Sequence, residues 1–138
     1  MDIFVDTNIL LDVLTRRKPH YNSSAQIWTL CERGHMRGHI SVISFNNIFY
    51  IVRKLADKKT AQEMMGTLRD IFQPVALDAQ LLNLAIGGKF TDFEDAIQYH
   101  SARRAAATAL ITRNVSHFPK SDLSILTPQE FLASRAAT

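Results

Sequence analysis

Short, continuously apolar segments alternate with longer segments of helical periodicity along this chain. Ile3–Val5 and Ala109–Ile111 contain no polar residue, as expected for strands of a parallel sheet that are buried on both faces. The longer segments carry apolar residues at the three- and four-residue spacing of amphipathic helices. This alternation restricts the fold to the α/β class, and we predict a mostly parallel central sheet flanked by helices.

The apolar runs predict strands at residues 2–5, 39–43, 74–77, 108–112 and 123–126. Helices are predicted at residues 7–14, 23–33, 44–56, 60–72, 80–86, from 91 or 92 to 107, and from 127 onward. Ser44 is expected to cap the third helix, and Asp92 or Thr91 the sixth. Thr91 and Glu94 also match the capping-box pattern, so Glu94 can be either a cap or a ligand.

The composition favours one soluble domain covering residues 1–138, with 46% hydrophobic residues and a formal charge of +3. The charge is compatible with a phosphate-bearing partner but does not specify one. Cys31 is the only cysteine, so an internal disulfide is impossible. Acidic residues near the start argue against a secretory signal, and no run approaches the ~20 apolar residues that span a bilayer. We therefore expect a cytoplasmic protein outside the membrane.

Polar residues that suit a metal site follow the predicted strands or begin a helix. Asp6 comes directly after the first strand, Asn114 follows the fourth, and Asp92 and Asp95 lie at a helix start. Ligand sites of open parallel sheets form beyond the carboxyl ends of the strands, and carboxylates gathered there suit Mg²⁺ or Mn²⁺. Each residue also has a local explanation, because Asp caps helices and Asn is common in turns.

Two further details favour a site over local capping. Asp92, Glu94 and Asp95 fall within four residues, and packed like charges cost stability unless a cation or a proton intervenes. Asn47 lies among apolar residues of the third helix although Asn is a mediocre helix former. A solvated or core-bonded amide is the alternative for Asn47.

Four motifs in this order resemble the PIN-domain family of metal-dependent ribonucleases. The opening Phe4–Asp12 is similar to the family's first strand and first acid, and Asp95–Gln98 with Ser101-Ala102 to its third acidic motif. Leu110–Asn114 with Phe118 resembles the closing motif. Pro128–Leu132 resembles a common ending in the bacterial branch of VapC-like toxin ribonucleases. The resemblance covers nearly the whole chain.

The resemblance implies a PIN-like fold, an acidic pocket holding Mg²⁺ or Mn²⁺, and hydrolysis of RNA phosphodiester bonds. It also implies the toxin role of a toxin–antitoxin pair, with a protein antitoxin and a homodimeric assembly. Two positions depart from the pattern, since Asn47 and Asn114 stand where the family often has acids. A nearby acid of some relatives corresponds to His117. Asp92 and Glu94 are candidates to compensate.

On this reading Asp6 and Asp95 hold the metal, and Asp92 binds it directly or through water. Asn47 and Asn114 complete the predicted catalytic set by supplying neutral oxygens or orienting water. The predicted RNA contacts are basic side chains at three places in the chain: Arg113, Lys54 and Arg16.

Two other functions remain open at the level of sequence. The amides in place of acids are compatible with a catalytically inactive RNA- or protein-binding module. A phosphatase that uses Asp6 as nucleophile is the third possibility, although Asp6-Thr7-Asn8 lacks the second acid of the haloacid-dehalogenase type. The absence of a Gly-rich phosphate loop argues against nucleotide hydrolysis.

Overall fold

The computed structural model describes residues 1–136. Within that part of the chain, the strands form one sheet in which every pair is parallel. The strands are β1 (Asp2–Val5), β2 (Arg37–Ser41), β3 (Gln73–Val75), β4 (Ala109–Ile111) and β5 (Ser124–Leu126), in the order β3-β2-β1-β4-β5. The predicted α/β fold with a parallel sheet is confirmed. The strand order changes direction between β1 and β4, which is where an open sheet forms a crevice for ligands.

The helices follow the predicted order, with boundaries shifted by up to three residues. They are α1 (Thr7–Leu14), α2 (Tyr21–Glu32), α3 (Val42–Leu55), α4 (Lys58–Ile71), α5 (Ala79–Gly87), α6 (Phe93–Arg104) and α7 (Pro128–Ala136). A short 3-10 helix, Val115–His117, lies between β4 and β5. No helix within residues 1–136 has the length and apolar character needed to cross a membrane.

The sheet separates the hydrophobic core into two faces. Ile3 and Val5 of β1 pack with apolar side chains of α1 to α4, whereas Phe4 between them packs with Tyr99 and Ala102 of α6. Ile3 and Phe4 are both completely buried. Burial on both faces explains why the run Ile3–Val5 contains no polar residue, and it makes β1 a rigid base for the residue that follows it.

The start of α3 differs from the prediction. Ser41, and not Ser44, is the N-cap, and its hydroxyl accepts a hydrogen bond of 3.2 Å from the backbone N–H of Ile43. Val42 and Ile43, predicted as the end of a strand, therefore belong to the helix. This difference affects the site, because Ser44 is a fully buried residue within the helix and contacts other polar side chains.

The first and last residues of α6 also differ from the prediction or were left open by it. Asp92 is the N-cap, and its carboxylate accepts a hydrogen bond of 3.1 Å from the backbone N–H of Asp95. The predicted Thr91–Glu94 capping box is wrong, because Asp92 is the N-cap and the Glu94 carboxylate accepts a hydrogen bond from Asn47 of α3. The predicted extension to residue 107 is also wrong, since Ala106 adopts a φ of 53° and the left-handed conformation ends the helix.

Candidate active site

The residues predicted to be catalytic line one cleft at the carboxyl ends of β1 and β4. This cleft has a volume of about 510 Å³. Each of the predicted residues contributes to its wall: Asp6, Asn47, Asp92, Asp95 and Asn114. The fold brings them together from four different elements, as the position of the switch point predicts. Asn8, Asn46, Tyr50, Glu94 and His117 also line the cleft.

Asp6 is the most buried acid of this cleft. Its residue is 4% exposed, and its backbone N–H bonds the carbonyl of Ile111, which ties it to the end of β4 at 3.0 Å. Asp6 occupies the N-cap position of α1, yet its carboxylate is held by side chains from other elements. Oδ2 accepts a hydrogen bond of 2.8 Å from the Thr112 hydroxyl, and Oδ1 accepts one of 3.1 Å from the Gln98 amide.

The surroundings of Asp6 oppose its negative charge. The pKa of this carboxyl is raised from 3.8 to about 6, mainly by burial and to a smaller extent by the nearby negative charges of Asp95 and Glu94. The hydrogen bond from Thr112 acts in the opposite direction. A carboxylate whose ionised form is disfavoured by neighbouring carboxylates gains from a bound cation, because the cation compensates the same repulsion.

Glu94 and Asp95 extend this acidic cluster at the start of α6. Burial raises the pKa of Glu94, and the charges of Asp92 and Asp95 add to the increase. Burial and the charge of Asp92 likewise raise the pKa of Asp95, whereas His117 lowers it. Nδ1 of His117 lies 3.2 Å from Oδ2 of Asp95. The acids around the cleft therefore interact electrostatically as one group.

Two of the expected acids are replaced by amides, and the structure shows what those amides contact. Asn47 of α3 donates a hydrogen bond of 3.2 Å to Oε1 of Glu94. The alternative interpretation of Asn47 as a core-bonded amide is only partly correct: the amide is hydrogen-bonded, but its partner Glu94 belongs to the acidic cluster. The backbone N–H of Asn114 bonds the Thr112 hydroxyl at 3.1 Å, and the half-buried Asn114 side chain lines the cleft.

The donor chemistry of the cleft fits a hard divalent cation held by few protein ligands. Carboxylates and amide oxygens are the donors that Mg²⁺ and Mn²⁺ prefer, and Mg²⁺ keeps several waters. Within residues 1–136, no three His, Cys, Asp or Glu side chains are arranged as a ready metal cage. Such an arrangement suits a cation that is held by one or two carboxylates together with water and substrate oxygens.

The predicted RNA contacts occupy different environments. The Nε atom of Arg113 lies 2.8 Å from Oδ2 of Asp12, which is completely buried. Arg113 thus forms an ion pair with a buried acid. Lys54, at the end of α3, and Arg16, directly after α1, are exposed. These two cations are accessible to a phosphate backbone, although neither lines the cleft.

Several polar residues of the site carried little sequence signal of their own. Gln98, Thr112 and Ser44 are fully buried and bond one another or Asp6 through side chains. Gln98 falls three residues after Asp95, so a polar residue on the acidic face of a helix was the available hint. Tyr50 is 67% exposed beside the cleft, and the sequence carries no signal for a role of its aromatic side chain.

The family follows from a comparison over most of the chain. The model of the PIN domain matches residues 2–116. The chain belongs to the PIN domain family. That assignment agrees with the parallel sheet and with the acidic cleft at its carboxyl edge. The comparison with curated proteins gives no match.

Solved structures share this PIN fold at low sequence identity. A toxin–antitoxin complex from Klebsiella pneumoniae superimposes with a TM-score of 0.69 at 20% identity, covering 91% of this chain and 97% of the other. VapBC-1 from nontypeable Haemophilus influenzae gives 0.68 at 18% identity, covering 94% and 99%. VapC20 of Mycobacterium tuberculosis, a toxin that cleaves the sarcin–ricin loop, gives 0.62 at 13% identity, covering 87% and 92%. At these identities the likeness establishes the fold.

Proposed function

We propose that this PIN domain is a divalent-metal-dependent endoribonuclease. The observation that carries the proposal is the buried Asp6 carboxylate, whose charge is opposed by burial and by Glu94 and Asp95 at the same cleft. Burying an acid among acids is costly, and a structural role would be served better by a neutral side chain. A cation-dependent reaction on a phosphodiester gives the arrangement a function.

Mg²⁺ or Mn²⁺ would be held by Asp6 and Asp95, with Asp92 binding directly or through water. When bound, such an ion polarises a phosphate oxygen and lowers the pKa of a coordinated water. The other residues of the site hold the metal-binding carboxylates in position. Thr112 fixes one oxygen of Asp6 and, through the N–H of Asn114, the loop after β4.

The neutral amides limit the negative charge of the cleft. Asn47 restrains Glu94 by its hydrogen bond, so this carboxylate keeps a defined position and position 47 adds no further negative charge. Asn114 offers an amide that can bind water or a phosphate oxygen. With fewer negative charges than an all-acidic site, the cleft repels an approaching RNA backbone less strongly.

The surroundings of the cleft suit an RNA strand. Tyr50 presents an exposed ring on which a base can stack. Lys54 follows one helical turn later and is also exposed, in position to contact phosphate. Arg16 supplies a further exposed cation. Because phosphate contacts release counterions, RNA binding should weaken as salt increases.

We further propose that the protein acts as the toxin of a toxin–antitoxin pair and forms a homodimer. Support for the toxin role comes from the similar structures, which include a toxin–antitoxin complex from Klebsiella pneumoniae and VapBC-1 from nontypeable Haemophilus influenzae. An antitoxin would be a protein that covers the cleft. Expression in a bacterial host should arrest growth, the Asp6→Asn variant should not, and co-expression of the antitoxin should restore growth.

The deciding experiment is cleavage of a structured RNA pool by the purified protein. Reactions with Mg²⁺, with Mn²⁺ and with chelator are compared for wild type and for the Asp6→Asn, Asp95→Asn double variant. Cleavage that requires metal and is lost in the double variant supports the proposal. Cleavage that persists in chelator, or in a folded double variant, contradicts it.

The neutral Asn47 and Asn114 favour one alternative, an inactive PIN domain that binds RNA or protein. The two functions differ in turnover. A folded wild-type protein that binds Mn²⁺ and RNA but leaves every RNA of the pool intact would support the binding module.

A further inference from the structure

A glutamine occupies the middle of the most tightly packed part of α6. Gln98 is completely buried, as are its neighbours Ala96, Ile97 and Ala102 to within 1%. The large majority of polar side chains at such positions are hydrogen-bonded. The partners of Gln98 therefore indicate why the position is polar.

The amide nitrogen of Gln98 joins three elements of the site. Nε2 lies 2.8 Å from Oγ1 of Thr7, 3.1 Å from Oδ1 of Asp6 and 3.2 Å from Oγ of Ser44. The Thr7 and Ser44 hydroxyls are themselves 2.6 Å apart. One side chain of α6 thus contacts the end of β1, the first residue of α1 and the first turn of α3.

The carbonyl end of the same side chain has no such partner. Within residues 1–136, Oε1 of Gln98 is buried and accepts no hydrogen bond. An unsatisfied buried carbonyl is destabilising, whereas an apolar side chain of similar size would avoid that cost. Core stability alone therefore does not explain Gln98, and its donor end must supply the reason for the amide.

We propose that Gln98 is a positioning residue for Asp6. Its amide holds Oδ1 while the Thr112 hydroxyl holds Oδ2, and each oxygen keeps acceptor capacity for a cation. These two donors come from α6 and from the residue after β4, so the carboxylate is oriented from two different elements of the fold. This inference rests on the proposed metal-dependent function.

The test is Mn²⁺ affinity, measured by titration calorimetry on the folded protein. Gln98→Met preserves size and removes the donor. We expect its affinity to fall by about 10-fold or more, in the range seen when partners of metal ligands are removed. Ser101→Ala is the matched control, because Ser101 is also fully buried on α6 and its hydroxyl has no hydrogen-bond partner within residues 1–136. That variant should bind Mn²⁺ like wild type.

A second variant guards against the possibility that methionine packs poorly at position 98. Gln98→Asn retains an amide but shortens the side chain by one methylene, so it too should lose affinity. Equal Mn²⁺ affinity in wild type and in whichever Gln98 variant folds, together with loss in Asp6→Asn, would overturn the positioning role and leave the metal site intact. Unchanged affinity in Asp6→Asn would overturn the metal site and this inference with it.

Discussion

Asn47 of α3 and Glu94 of α6 form a hydrogen bond of 3.2 Å across the cleft. The resemblance to PIN domains leads us to expect a glutamate at position 47, where this chain has an amide. We propose that Glu94, its partner on α6, supplies the carboxylate that position 47 lacks. Only the tertiary structure reveals this pairing, since 47 residues separate the two positions.

This pairing predicts the outcome of a charge swap. Glu94→Gln should weaken metal-dependent stabilisation and RNA cleavage, because it removes a carboxylate from the cleft. Adding Asn47→Glu to Glu94→Gln should restore part of both, since the carboxylate returns on the other helix. Cleavage rates and metal-dependent melting temperatures of the single and double variants measure this. A double variant no better than Glu94→Gln would show that the position of the acid, and not its presence, matters.

Metal should stabilise the folded protein through Asp6 and Asp95. At a concentration of 100 times Kd, binding adds about 2.7 kcal/mol to the free energy of unfolding, which raises Tm by several degrees. Mg²⁺ or Mn²⁺ should therefore raise the Tm of wild type more than that of Asp6→Asn or Asp95→Asn. Asp70→Asn, an exposed acid of α4, serves as control. Equal shifts in every variant would exclude the assigned ligands.

Stability without metal should depend on the protonation of Asp6. Its pKa is about 6 when folded against 3.8 ordinarily, so the folded state keeps a proton that the unfolded state releases. The associated stability is complete below about pH 4 and is lost as pH rises through 6, on the order of 3 kcal/mol. Asp6→Asn should flatten this part of the profile in urea unfolding with chelator. An unchanged profile would assign the titration to another group.

Arg113 and Lys54 should behave differently when their charges are removed. Asp12 is completely buried, and its carboxylate lies 2.8 Å from Arg113 and 3.8 Å from Arg17. Arg113→Gln should lower the free energy of unfolding by about 3 kcal/mol, because it leaves a buried carboxylate poorly paired. Removing the charge of the exposed Lys54 should weaken RNA binding and reduce its salt dependence without changing Tm. Denaturant unfolding and RNA titrations separate these effects; a fully stable Arg113→Gln would contradict the structural role.

The sequence alone allowed most of the fold to be predicted. Continuous apolar runs such as Ile3–Val5 identified buried parallel strands, and helical periodicity identified the intervening helices. Boundaries were less certain, because neighbouring residues can each serve as a cap. Ser41 and Ser44 are both residue types that cap helices, and the structure shows that Ser41, the last residue of β2, is the cap.

The residues of the cleft could be named for a similar reason. Asp6 directly follows β1, and Asn114 lies three residues after β4. Both strands end at one edge of the sheet, so the convergence of these two residues follows from the topology. The contacts made by buried side chains left no such pattern. Nothing local indicates that Gln98 bonds Asp6, that Glu94 bonds Asn47, or that Arg113 turns toward Asp12.

The sequence by itself determined the α/β architecture, the PIN-domain resemblance and the set of acids and amides near the cleft. These properties depend on periodicity and on the ends of elements, which short-range interactions define. The tertiary structure decided which oxygen each donor holds and which charges neutralise one another. Those choices depend on side chains about 100 residues apart in the chain, as with Asp6 and Thr112, and only packing brings such groups within hydrogen-bond distance.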